Sequence, residues 1–97
     1  MKVSLESVVV VSRDQMASDI AGETVILGLT AGRYYGLDPV GARVWQIIQT
    51  PRAVADVRRT IVSEYDVEPE RCEADLLALL QKMADAGLVE VRGAGAP

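Results

Sequence analysis

At 97 residues with 49% hydrophobic content, the chain suffices for one domain with one modest core and is too short for a catalytic domain with a separate lid. A binding module is therefore expected before an enzyme. The formal charge of −4 works against nonspecific attraction to nucleic acid or anionic lipid, whereas a basic or polar peptide meets less repulsion.

Met1 and Lys2 lead into Val3-Ser4-Leu5-Glu6 without the apolar run of a signal peptide, and no stretch approaches membrane-spanning length, so a soluble cytoplasmic protein is expected. Ser7-Val8-Val9-Val10-Val11 is an unbroken β-branched series and reads as a first strand. Arg13 to Ala21 is mixed and polar, with no trustworthy helical stripe, and reads as a connection. From Thr24 to Leu29, Val25, Leu27 and Leu29 share one face at the two-residue period of a strand. Thr30-Ala31-Gly32 supplies a turn, and Arg33 to Leu37 is the return strand of a hairpin. The three strands together predict an antiparallel meander.

Asp38 directly before Pro39 marks a helix start, because the carboxylate can accept orphan amide hydrogens while Pro suits the first helical position. Val40, Val44, Ile47 and Ile48 form the apolar stripe of this first helix, and Gly41 near its start permits close packing against the sheet. Thr50-Pro51 breaks it. A second helix follows with Val54, Val57, Ile61 and Tyr65 along one face. Glu68-Pro69-Glu70 opens a third, acidic in its first turn as the macrodipole prefers, with Cys72, Leu76, Leu79, Leu80 and Met83 as its stripe and Gly87 as its end. Leu88-Val89-Glu90-Val91 reads as a terminal strand or wing, and Arg92 to Pro97 as a fraying tail. The expected fold class is α+β: a three-stranded antiparallel sheet packed on a three-helix winged helix-turn-helix, one domain over residues 1–97 with an ordered core of about 5–91.

The residue inventory argues against catalysis. The chain has no His, which removes the commonest general base near neutral pH and every Ser-His or Cys-His pair. Cys72, the single cysteine, allows no intrachain disulfide or thiolate cluster and reads as a small apolar core residue. Asp56, Glu64, Asp66, Glu70, Glu73 and Asp75 fall largely on polar helix sides or at helix ends, and nothing in their spacing forces a pair into an apolar cleft. Gly28, Gly32 and Gly36 are spaced through a hairpin and build no phosphate loop. No metal and no cofactor is expected. A DNA-reading third helix would carry Glu70, Glu73, Asp75 and Asp85 against Arg71 and Lys82, a balance that repels phosphate, and Arg58 with Arg59 reads as a solvated pair.

What remains is the aromatic strand, which has no obvious later partner in the sequence. An open strand edge is a place where another chain adds through its backbone. Alternation puts Arg33, Tyr35 and Leu37 on one face and Tyr34 and Gly36 on the other. Leu37 leads into the core helix, so Tyr35 is expected half-buried, and Tyr34 is expected either as a contact residue or as plain surface. Trp45 is expected to pack the first helix on the sheet; Leu77 either covers the core or lines a groove beside the strand.

The segment Gly32-Arg33-Tyr34-Tyr35-Gly36-Leu37-Asp38 followed by Val40-Gly41-Ala42-Arg43-Val44-Trp45 resembles the PqqD-like family of peptide-binding domains, also called RiPP recognition elements. It looks most like the stand-alone versions found in lasso peptide biosynthesis. The likeness runs from Val8 through Val54 and Val57, Tyr65-Asp66-Val67, Asp75-Leu76-Leu77 and Gly87-Leu88-Val89, carried by order and spacing and by no single motif. The chain lacks the Asp-Gly pair that the quinone-cofactor members have after the first helix, and it has Trp45, which favours the lasso branch.

The resemblance implies a non-catalytic protein that captures the leader of a ribosomally made precursor and delivers it to a leader peptidase and an ATP-dependent macrolactam cyclase. It implies that the leader adds as a strand to Arg33, Tyr34, Tyr35, Gly36 and Leu37 and lies against Asp75, Leu76, Leu79, Lys82 and Met83 of the third helix. Leaders of this type carry Tyr, Pro and Leu anchors, and the acidic third helix suits a leader with Lys or Arg. No nucleic acid or membrane partner is expected, and the open edge offers a route to a weak homodimer. The alternative reading is a winged helix-turn-helix transcriptional regulator.

Overall fold

The computed structural model describes residues 2–20, 23–30 and 32–93. Strand β1 (Val8–Val11) forms where the β-branched run predicts one, but it does not join the meander. It is the middle strand of a first sheet, antiparallel to a two-residue strand β5 (Arg52–Ala53) on one side and to the C-terminal strand β6 (Val89–Arg92) on the other. Val9, at its centre, is fully buried. A run without alternation suits a strand covered on both faces, so the residues fixed the element and left its partners open. The terminal strand predicted around Leu88 to Val91 is thus β6, paired with β1 in full register from Val8 opposite Arg92 to Val11 opposite Val89.

The place that the sequence reading gave to the first strand is taken by β2 (Gln15–Ile20), within the segment read as a connection; Ala21, the end of that segment, lies outside the described residues. β2 pairs antiparallel with β3 (Glu23–Gly28), which pairs with β4 (Arg33–Leu37), so the second sheet has the order β2-β3-β4. The predicted turn at residues 30–32 includes Ala31, outside the described residues, while Gly32 has φ +66°, the left-handed value that suits glycine. The molecule is α+β, its described residues forming two three-stranded antiparallel sheets and three helices.

Helix α1 (Pro39–Ile47) begins as its sequence dictates. Asp38 Oδ1 accepts from the Gly41 amide at 2.7 Å, and Pro39 occupies the first turn. A Cβ at Gly41 would lie 3.2 Å from that carboxylate oxygen and 3.5 Å from Leu37, so the missing side chain lets the helix start close against the end of β4. Helix α2 (Val54–Glu64) has no side-chain cap; instead its Val54 and Ala55 amides donate to the carbonyls of Ser7 and Leu5 at 2.9 and 3.0 Å. Helix α3 (Pro69–Asp85) ends in a Schellman turn, with Gly87 at φ +76° and the Leu88 amide donating to Met83 O at 2.9 Å.

The predicted stripes meet in one core. Val44 and Ile48, Val54, Val57 and Ile61, and Cys72, Leu76, Leu80 and Met83 are buried together with Val9, Ile26 and Leu88. Trp45 is buried among them, as expected, and Leu77 is partly buried against the core. Ion pairs join the helices at their rims: Arg43 to Glu64 at 2.7 Å between α1 and α2, and Arg58 to Glu73 at 3.1 Å between α2 and α3.

Candidate functional site

β4 pairs with β3 along one side, and among the described residues nothing pairs with its other side. Its alternation is the predicted one: Leu37 is buried, Tyr35 half-buried, and Tyr34 is 73% exposed on the opposite face. Tyr35 sits across from Ile26 and Tyr34 across from Leu27, so one ring enters the core face and the other the outer face of the same sheet.

A groove separates β4 from α3 and has two lobes that share Gly36, Leu37 and Leu79. The wide lobe, about 720 Å³, has an apolar floor of Leu37, Val44, Ile61, Cys72, Leu76 and Leu79. Its rim carries Asp38, Asp66, Glu68 and Asp75, with Arg71 as the countercharge. The narrow lobe, about 220 Å³, lies between Tyr34 and Tyr35 on one side and Lys82 and Met83 on the other, with Leu88 among its lining. Both walls of the groove are tied into the rest of the fold. The Asp38 cap anchors the end of β4 to α1, and the Schellman turn carries α3 into β6 of the other sheet.

The sequence-derived set is brought together by this geometry. Tyr34, Tyr35, Gly36 and Leu37 from β4 face Asp75, Leu76, Leu79, Lys82 and Met83 from α3 across the groove. Arg33 belongs to the strand, opposite Gly28, and lines neither lobe. Sequence reading missed the contribution of the α2–α3 connection. Asp66, Val67 and Glu68 close one end of the wide lobe, and Val67 is an exposed apolar side chain outside any stripe. The signal was there in a lone valine between two acids directly before Pro69.

Burial of Cys72 pushes its thiol above the ordinary value, so it lies in the floor as a neutral, unreactive group. Arg58 and Arg59, the best basic cluster, are engaged by Glu73 at 3.1 Å and Asp56 at 2.9 Å. Among the described residues no three His, Cys, Asp or Glu side chains gather to hold a metal ion, and no helix is long and apolar enough to cross a membrane.

Residues 23–89, more than half of the chain, match the family model described as coenzyme PQQ synthesis protein D. Among solved structures, "TbiB1 in Complex with the TbiA(beta) Leader Peptide" is similar at 32% identity and a TM-score of 0.76, over 84% of this chain and 94% of that one. "Lasso peptide synthetase B1 complexed with the leader peptide" is similar at 24% identity and a TM-score of 0.75, over 84% and 96% of the two chains, and at that identity bears on the fold alone. No curated protein matches.

Proposed function

This chain belongs to the PqqD family, and on that premise we propose that it captures the leader of a precursor peptide in lasso peptide biosynthesis without catalysing a reaction itself. The observation that carries the reading is the open edge of β4 beside a groove with an apolar floor. An extended peptide seated there takes its backbone hydrogen bonds from β4 and places alternate side chains in the lobes. Strand addition of this kind obtains affinity from the main chain and selectivity from the pockets. Arg33, Tyr34, Tyr35, Gly36 and Leu37 supply the strand, and Asp75, Leu76, Leu79, Lys82 and Met83 the facing wall.

In this reading the helical half is a winged helix-turn-helix scaffold whose third helix serves as a groove wall and not as a DNA reader. The acidic rim and the internal pairing of Arg58 and Arg59 support that use. The bound leader is presented, in the cytoplasm, to a leader peptidase and an ATP-dependent macrolactam cyclase. Calorimetric titration of the chain with the leader segment of its cognate precursor should give a one-to-one complex. Absence of binding at about 1 mM peptide, weaker than about −4 kcal/mol, would overturn the proposal.

A further inference from the structure

Among the described residues the second sheet has two open edges, and they differ. Beside β4 stands α3, across a groove that suits a single extended chain. Beside β2, among the described residues, no such wall lines a groove, and every residue from Met16 to Ile20 is exposed, on both faces of the strand. Met16 is 61% exposed and Ile20 59%. An edge strand with large apolar side chains and no cover is a template for pairing.

We propose that β2 pairs antiparallel with β2 of a second copy of this chain, joining two β2-β3-β4 sheets into one and leaving both β4 edges free. The register follows from the side chains. A two-fold axis at Ser18 sets Met16 opposite Ile20 of the second copy and Ala17 opposite Asp19 of the second copy, so the exposed apolar pair is buried twice and no like charges meet. Shifting the axis to Asp19 would oppose two carboxylates, and shifting it to Ala17 would set Ile20 against Asp14. An axis on a residue also maps alternate amides onto alternate amides, so whichever set points away from β3 finds its carbonyls.

The contact continues a surface that the monomer leaves incomplete. Met16 stands opposite Leu27, and Leu27 opposite Tyr34, which makes an apolar row across the outer face of the sheet. The incoming Ile20 extends that row by one strand. β4 suits a second copy poorly, because a folded sheet arriving there would have to enter the groove under α3.

Sedimentation equilibrium of the full chain from about 20 μM to about 1 mM tests the proposal. A contact this short lies below ~1,200 Å² of total buried surface, the range of weak assemblies. The chain should pass from monomer to dimer over that range, and added salt should strengthen the dimer by screening the −4 charge on each copy. Concentration-dependent amide shifts should centre on residues 15–20. The double variant Met16→Lys, Ile20→Lys should weaken the dimer at least tenfold, at unchanged melting temperature. Both side chains are exposed, so the fold should tolerate the change, and in the proposed register each new lysine faces one from the other copy, so lost apolar contact and local like-charge repulsion weaken the same pairing. A chain that stays monomeric at about 1 mM overturns the proposal. So does a dimer that survives the double variant, or one abolished only by Gly36→Pro on β4. A monomer whose double variant fails in leader processing would give this edge to a processing enzyme instead.

Discussion

Val9 at the centre of β5-β1-β6 is wholly buried, whereas Tyr34 at the edge of β2-β3-β4 is 73% exposed, although each stands in a strand of strong β-formers. The first sheet closes the molecule on itself. It brings together the N-terminal segment, the start of α2 and the C-terminal strand, and hydrogen bonds from Val11 to Ile48 and from Ser12 to Leu88, at 3.0 and 2.9 Å, tie it to both flanking segments. The second sheet has only one face on the core and, among the described residues, both edges unpaired. The difference teaches that strand-forming residues supply stability where their pairing is completed inside the chain and a recognition surface where it is not.

The sharpest way to break the comparison is Val9→Asp. A carboxylate at this buried, apolar position costs several kcal/mol, comparable with the total stability of about 5–15 kcal/mol for a domain, so the cooperative thermal transition should disappear. A folded Val9→Asp variant would show that the first sheet is not what holds the molecule together. Next in size is Tyr35→Ala. Its half-buried ring faces Ile26, so about 1–2 kcal/mol of stability should go, along with leader affinity, read by melts and titration on the same protein.

Tyr34→Ala should leave the melting temperature nearly unchanged and weaken leader binding about tenfold, the usual effect of truncating an aromatic anchor at an interface. Should Tyr34→Ala unfold the domain while Tyr35→Ala alters binding alone, the two faces of β4 carry the opposite roles.

The smallest effect belongs to the helix rim. The hydrogen bond from Arg43 holds the Glu64 carboxyl below its ordinary value and raises Arg43 in turn, each against the opposing effect of partial desolvation. A depressed carboxylate stabilises the fold above its unfolded value and stops doing so as pH falls through the folded one. Glu64→Gln should therefore lower the melting temperature slightly at neutral pH, and the difference from the parent chain should vanish in acid.

Local chemistry alone determined a large part of this protein. The Asp38-Pro39 start of α1, the stripes of all three helices, the Gly87 end of α3 and the inward-outward alternation of Tyr35 and Tyr34 each depend on residues within a few positions of one another, and each stands where the sequence puts it. Tyr34, Tyr35, Gly36 and Leu37 of β4 and Asp75, Leu76, Leu79, Lys82 and Met83 of α3, which the family resemblance named together, line one groove; the strand and helix periods by themselves say only which side chains share a face. Beyond the β3–β4 hairpin, pairing was not legible. β2 is exposed on both faces and so shows no one-sided pattern. β1 is a uniform run that could have joined either sheet, and α2 is capped by carbonyls of Leu5 and Ser7, far away in sequence. Val25 and Leu27 share a face as their spacing requires, yet Ile26 is the residue that enters the core. Only the tertiary structure decided these points, because a backbone hydrogen bond between strands depends on which segments the shared core brings together and carries no local signature of its partner.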